Sequence, residues 1–306
     1  MKILITGATG FLGRRLVRQL NTQAAHTLAA LARSSASADK LNAAGVQSIP
    51  ADLCDPESIR QAVAGFQPDV VFHLAAEIAT QRNRQKLWAA NHHGTTNLVA
   101  ACRDLKNLKK FIFTSTVVTG DAHGELLTEE SELNVETEYG KTKQASEQLL
   151  LKLFQETSFP GIIVRPSHVY GPGGWMGELV SDMRRGMFRI PGDGRNLWDV
   201  VHVDDLVEAL LVLLEKGRPG EIYHVVDDTP VSMRDFFQTM GHHLGKKRIG
   251  HVPVFLANLI KGRDPIKAGT RSARSSNRKI KSLGWSPRYP DFRSGLEATF
   301  RTWQTG

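Results

Sequence analysis

The chain has little cysteine. Cys54 and Cys102 are its only two, too few for a disulfide framework or a thiolate metal cluster. A reduced, cytoplasmic setting is the expectation that follows. No apolar run approaches the ~20 residues of a membrane span, and the opening stretch has none of the features of a signal peptide. No membrane partner is therefore expected. Internal repeats and low-complexity tracts are also missing. An acidic surplus is absent as well: 39 Lys and Arg stand against 31 Asp and Glu, a formal charge of +8. That balance suits an anionic ligand such as a phosphorylated cofactor. It fits plain solubility equally, and is weak ground for nucleic acid. With 306 residues, the chain has room for one large domain, or one plus a small appendage.

What is present starts at once. Lys2–Thr6 is rich in β-branched residues and leucine and reads as a buried strand. Gly7, Gly10 and Gly13 follow, and Arg14–Leu20 then carries apolar residues at helical spacing. Strand, tight turn and helix in that order aim backbone N–H groups and a helix's positive end at one spot. A pyrophosphate can sit there without a dedicated cation. The spacing G-x-x-G-x-x-G is one residue longer at the front than the common dinucleotide fingerprint. Thr9, Phe11 and Leu12 join the three glycines as expected cofactor contacts.

The first half alternates. Strand-like stretches lie at Lys2–Thr6, Thr27–Ala32, Val46–Ile49, Asp69–Leu74, Lys110–Thr114 and Gly161–Arg165. Helix-like ones lie at Arg14–Leu20, Pro56–Ala64, Trp88–Leu105 and Lys141–Gln155. Such alternation predicts an α/β fold with a right-handed, doubly wound parallel sheet, ligands meeting at the carboxyl ends of its strands. From about Pro172 glycine- and proline-rich loops break the regularity. The expected division is 1–170 for the dinucleotide and 171–306 mainly for a smaller substrate lobe, with the chain returning to the sheet around 197–226. In that lobe the spacing predicts a strand at Asp199–Val203 and one at Glu221–Val226. Helices are predicted at Asp204–Lys216, Ser232–Leu244, Val254–Lys261 and Phe292–Trp303. Arg263–Lys281, rich in Arg, Lys and Ser, is expected to be mobile.

Tyr139-Gly-Lys-Thr-Lys143 carries the second signal. On a helix, positions i and i+4 share a face, so phenol and ammonium point into the same space. A lysine cation there favours the phenolate and should lower its pKa from near 10. Tyrosine then becomes a usable general acid or base near neutrality.

The glycine loop resembles that of the short-chain dehydrogenase/reductase superfamily, particularly its extended branch, and the Tyr139–Lys143 pair matches that superfamily's motif. Other stretches are similar to the family's: His73-Leu74-Ala75-Ala76 beside the cofactor, Arg165–Gly173 along the nicotinamide, Val201–Asp205, and Leu283–Pro287. The resemblance runs from residue 1 to about 290. It implies a Rossmann-type fold, a homodimer through Trp88–Leu105 and Lys141–Gln155, and hydride transfer between nicotinamide C4 and a carbonyl or alcohol carbon. Tyr139 would move the oxygen proton, Lys143 tune it and hold the ribose, and Ser115 orient the substrate oxygen. Thr114 and Thr116 carry hydroxyls beside Ser115. Asn91 matches the helical asparagine of a proton relay, or is a satisfied helix asparagine. Leu74, Ala75, Ala76, Pro166 and Val169 are implied cofactor contacts, and Asp52-Leu53 matches an adenine contact. Asp52 could equally cap the helix starting at Pro56. For substrate the implied residues are Ile78, Thr116, Ser167, His168, Trp175 and Met176. His73, His168 and His202 are too scattered for a metal site.

Arg33 and Ser34 stand at the end of the second strand, where an NAD site places an acid. A guanidinium there pairs a 2′-phosphate, with the Ser34 hydroxyl adding a bond, so NADP(H) is favoured over NAD(H). Three functions are weighed. The first is an NADP(H)-linked reductase or dehydrogenase. A nucleotide-sugar epimerase is the second, and a dehydratase is disfavoured because Thr116-Val117-Val118 follows Ser115 where an acidic pair is expected. Third is a non-catalytic dinucleotide-sensing or nucleic-acid-binding protein, suggested by the basic run Arg271–Lys281. Arg271, Arg274 and Arg278 could instead clamp a substrate phosphate, and the Tyr–Lys pair argues for catalysis.

Overall fold

The computed structural model describes residues 1–22 and 25–305. Its central element is a seven-stranded sheet. In chain order the strands are β1 (Lys2–Thr6), β2 (Thr27–Ala32), β3 (Gln47–Pro50), β4 (Val70–His73), β5 (Lys110–Thr114), β6 (Gly161–Pro166) and β7 (Ile222–Val225). They lie side by side as β7-β6-β5-β4-β1-β2-β3. The ladders joining β6 through to β3 are all parallel. Parallel strands covered on both faces read as continuous apolar runs, and Ile3–Ile5 and Phe111–Phe113 are fully buried. Strand order reverses between β4 and β1, which opens a crevice at their carboxyl ends.

The chain packs as two compact units. One comprises Met1–Ser115, Lys141–Val164 and Leu210–Ile222; the other comprises Thr116–Gly140, Arg165–Ala209 and the chain from Tyr223 onward. In the first, Leu4, Val71, Phe111 and Phe113 pack with Ile59 and Val63 of the helix Pro56–Phe66 and with Leu98. The second has its own aromatic core of Tyr170, Trp198, Phe236, Phe237 and Phe292, in which Tyr170 and Phe236 meet edge to face at 5.5 Å.

Two stretches singled out by their sequence are packing partners in the second unit. Asp205, in Val201–Asp205, accepts the backbone N–H groups of Arg288 and Tyr289 at 2.8 and 3.0 Å. Its carbonyl takes the indole N–H of Trp285, in Leu283–Pro287, at 3.0 Å. His202 is buried between Tyr170 and Tyr289.

Three expectations need correction. Trp88–Leu105 is not one α-helix: α-turns at Arg84–Trp88 lead into a π-helical turn, Ala89–His93, and then an α-helix, Gly94–Cys102. Such a turn holds an extra residue, and it falls on Asn91. Helices also form at Ser35–Ala43, Trp175–Arg184 and Arg263–Thr270, where none was expected. Arg263–Lys281 is ordered. Its helix is followed by Arg271, 2% exposed, whose Nε donates to the Gly120 carbonyl at 3.0 Å. Ser275 then donates to both carboxylate oxygens of Asp199, through its N–H at 3.0 Å and its hydroxyl at 2.7 Å. Buried polar partners hold this segment, where composition alone suggested a solvated loop.

Candidate active site

Loop geometry at the carboxyl end of β1 bears on the glycines directly. Gly7 has φ +71°, and a Cβ there would sit 2.7 Å from the backbone nitrogen of Ala75. A Cβ on Gly13 would drive into the Gly7 carbonyl. The backbone can turn and close only without side chains. Gly10 N–H donates to Gly7 O at 3.0 Å, and the helix Gly13–Thr22 starts at once. The turn carries the chain into that helix: Arg14 N–H donates to the Gly10 carbonyl, and Arg15 and Leu16 N–H to the Leu12 carbonyl, each at 3.1 Å, so the helix's positive end lies at this loop. This cradle fits a dinucleotide pyrophosphate. Replacing Gly7 by alanine combines a left-handed φ with a backbone clash and should cost at least ~2 kcal/mol. Urea unfolding checks this, and an unchanged midpoint would contradict the loop's geometry.

Beside the loop runs a chain of hydrogen bonds that sequence reading missed. Ala75 N–H donates to the Thr6 hydroxyl at 3.2 Å, and Thr6 pairs with His73 Nδ1 at 2.7 Å. His73 Nε2 pairs with the Thr95 hydroxyl at 2.8 Å, and Thr95 donates to the Asn91 carbonyl at 2.5 Å. Since Thr95 spends its proton on Asn91, His73 must donate from Nε2 and accept at Nδ1 from Thr6. Burial, and secondarily the Lys143 cation, push His73 down to about 3, which keeps it neutral for that role. These bonds tie the carboxyl ends of β1 and β4 to the π-turn. No single-residue motif announces them; only the threonine–histidine–threonine alignment across β1, β4 and the helix creates them.

Asn91 itself is fully engaged. Its Oδ1 accepts Glu77 N–H at 2.8 Å, and its Nδ2 donates to the Glu77 carbonyl and the Thr142 hydroxyl at 2.9 and 3.1 Å. It thereby fastens the segment after β4 to the helix Glu138–Thr157.

That helix carries both Tyr139 and Lys143, one turn apart. Lys143 is 2% exposed, with its Nζ 4.3 Å from the Phe113 ring centroid. Burial pulls its pKa down to about 7, against the opposing pull of Glu147. The Tyr139 phenol moves the other way. Although its ring is only partly buried, desolvation pushes it up to about 12. The expected lowering of the tyrosine pKa is therefore overturned: loss of water, the one cause acting on the phenol, raises it.

Ser115 follows β5, its N–H donating to Val164 O at 2.7 Å, and its hydroxyl is buried without a partner. The Thr114 hydroxyl is likewise unpartnered. Thr116 differs: its hydroxyl donates to Pro166 O at 3.3 Å and accepts Val118 N–H at 2.9 Å.

After β2, Arg33 is exposed, and Ser34 caps the helix Ser35–Ala43 by accepting Ser37 N–H at 3.3 Å. Arg33 thus stands at a helix N-terminus, a place that favours anions. Asp52 accepts Cys54 N–H at 2.9 Å, whereas Asp55 caps the helix Pro56–Phe66, so the capping alternative for Asp52 falls away. Leu53 offers its carbonyl to Asn97 Nδ2 at 2.8 Å, and Leu74 N–H reaches Thr6 O at 3.3 Å.

The remaining candidates are dispersed. Ile78 is 55% exposed. In the second unit, Ser167 donates to the Asp199 carbonyl at 2.7 Å. His168 stacks on Trp198 at 4.2 Å, its two nitrogens facing the carbonyls of Asp199 and Ala268. Trp175 donates to the Val169 carbonyl at 2.7 Å, and Met176 is fully buried, its sulfur accepting Gly171 N–H. Among the described residues, no group of His, Cys, Asp or Glu is arranged to hold a metal.

Comparison with known proteins places these features. Residues 3–226 match the model of the NAD dependent epimerase/dehydratase family. The chain is 31% identical over 260 residues to a 4-hydroxy-2-methyl-3-oxo-4-farnesyl-3,4-dihydroquinoline-1-oxide ketoreductase of Stigmatella aurantiaca, covering 83% of this chain and 76% of that protein. It is also 31% identical over 265 residues to a 2-alkyl-3-oxoalkanoate reductase of Stenotrophomonas maltophilia, covering 81% and 77%. Its fold matches the crystal structure of a Thermus thermophilus UDP-glucose 4-epimerase in complex with NAD, with TM-score 0.82, 24% identity and 99% of each chain covered.

Proposed function

The chain belongs to the NAD dependent epimerase/dehydratase family, an enzyme of the extended short-chain dehydrogenase/reductase superfamily with an NAD(P) site, and from that premise we propose that it is an NADP(H)-dependent reductase of a small-molecule carbonyl. One observation carries the reading: Tyr139 and Lys143 lie one turn apart on a single helix. The Ser115 hydroxyl, buried and without a protein partner at the end of β5, supports it. When bound, the nicotinamide supplies the hydride. Tyr139 donates the phenolic proton to the substrate oxygen, and Ser115 holds that oxygen by a hydrogen bond. Lys143 holds the ribose and supplies positive charge near the phenol. Asn91 fixes the helix that carries the pair, through Thr142. Burial leaves Tyr139 protonated at neutral pH, the form in which it can give a proton to the substrate oxygen in reduction. The reductase names of the two relatives support the same direction.

For the cofactor, Arg33 at the head of the helix Ser35–Ala43 pairs the 2′-phosphate. Thr9, Phe11, Leu12 and the three glycines line the pyrophosphate, with Leu53, Leu74, Ala75 and Ala76 alongside. Arg33→Asp should weaken NADPH binding at least about tenfold relative to NADH. Fluorescence titration of both nucleotides checks this, and an unchanged ratio removes Arg33 from the role. The reading carries a homodimer through residues 88–105 and 141–155, with sedimentation velocity as its test. Burial of Arg271 in the fold weakens the nucleic-acid alternative, because that side chain cannot reach a phosphate backbone.

A further inference from the structure

The eight-residue helix Val254–Lys261 is built inside out. Phe255, Leu259 and Ile260 are 64%, 78% and 68% exposed, and Leu256 is 39% exposed. Its one buried residue is the small Ala257. At ~100° per residue the four large apolar side chains share one broad face. A helix packed on a core has the opposite arrangement.

The neighbouring segment extends this face. Ile190 N–H donates to Gly250 O at 2.9 Å, and Gly192 N–H donates to Val252 O at 2.8 Å. Lys246 Nζ reaches the Arg184 carbonyl at 3.1 Å. Residues 184–195 and 246–263 therefore form one surface, to which Met187 adds a side chain 59% exposed. Its charge is one-sided. Residues 184–195 hold four arginines and a single acid, Asp193, and residues 246–263 hold five Lys or Arg and no acid; of these cations Lys261 is paired with Asp182 at 3.4 Å and Arg195 with Asp193 at 3.8 Å, leaving a cationic surplus. Scattered exposed apolar residues need no explanation, but a contiguous patch framed by charge of one sign does.

The expectation of no membrane partner rests on the lack of a spanning run, which does not bear on surface contact, and we propose that this face docks on an anionic lipid bilayer, the helix Val254–Lys261 lying flat at the interface. Acyl chains would take up Phe255, Leu256, Leu259 and Ile260, and acidic headgroups would meet the surrounding arginines and lysines. A second copy of this chain presents the same cations and repels the face. The helix is ~12 Å long, enough to lie in an interface, and among the described residues no helix is long and apolar enough to cross a membrane. The inference does not depend on the reading of the nucleotide site.

Flotation of the full chain with vesicles tests it, using pure phosphatidylcholine against phosphatidylcholine containing about one third phosphatidylglycerol. Binding to the acidic vesicles should exceed binding to the neutral ones at least about tenfold, and should fall as salt rises from about 0.05 to about 0.5 M. Leu259→Ser with Ile260→Ser should abolish binding while leaving the melting curve in place, since both positions are exposed. Equal partitioning into the two vesicle types, or full binding by the double variant, would overturn the proposal. So would a concentration-dependent dimer of the parent chain that the double variant loses, because the face would then be an interface between copies.

Discussion

Tyr139→Phe should lower kcat for carbonyl reduction by about a thousandfold while leaving NADPH affinity within about twofold. The substitution removes one oxygen and keeps the ring, so the helix Glu138–Thr157 should be undisturbed. With the phenol pushed up to about 12, the parent enzyme carries the transferable proton across the whole working range. The variant has no replacement, because a serine hydroxyl such as that of Ser115 is far too weak an acid at neutral pH. Loss of the chemical step with cofactor binding intact is the signature of a group acting only in the transition state. Retained turnover would take the proton-transfer role away from Tyr139.

The second large effect is a pH dependence set by Lys143. Its pKa, depressed to about 7 by burial, means that the cation is present below that value and lost as pH rises through it. Tyr139 stays protonated throughout. Reduction needs the phenolic proton and the lysine charge together, so kcat/KM for NADPH should be level on the acid side of pH ~7. Above it, the value should fall by about tenfold per pH unit. Lys143→Met should lower the plateau about a hundredfold or more and abolish that limb. A wild-type profile that instead rises through neutrality would mean that the free enzyme works through a deprotonated group. The same shift carries a stability consequence. Between pH ~7 and ~10.5 the unfolded chain binds more protons at this lysine than the folded one, so its contribution to stability improves with rising pH.

Much of the fold was legible because its signals are local. The β1, β2 and β5 strands have the bounds that their apolar runs predicted, and the glycine turn after β1 has the backbone that its spacing demanded. Ser35–Ala43 was not legible: it buries only Leu41 and depends on the Ser34 cap rather than on an apolar stripe. Arg263–Lys281 misled for the reverse reason. Its composition is that of a solvated loop, yet Arg271 and Ser275 find buried partners about 76 to 151 residues away in sequence, at Asp199 and Gly120. In the candidate site, residue types and spacing could be read directly. The opposite pKa shifts of Tyr139 and Lys143 could not, since burial is a property of the whole fold. The hydrogen-bond chain from Ala75 to Asn91 is hidden for the same reason. It joins five residues spread from Thr6 to Thr95, of which only His73 and Ala75 share a sequence motif.

The measurement that bears most directly on the NADP(H) reductase assignment is the nucleotide content of the freshly purified protein, released by denaturation and identified by chromatography. A reductase that exchanges its cofactor each turnover should emerge nucleotide-free or carrying NADP(H). Near-stoichiometric NAD or NADH would contradict it, pointing to a cofactor that never leaves and to an epimerase, in which oxidation and re-reduction occur on one bound nucleotide.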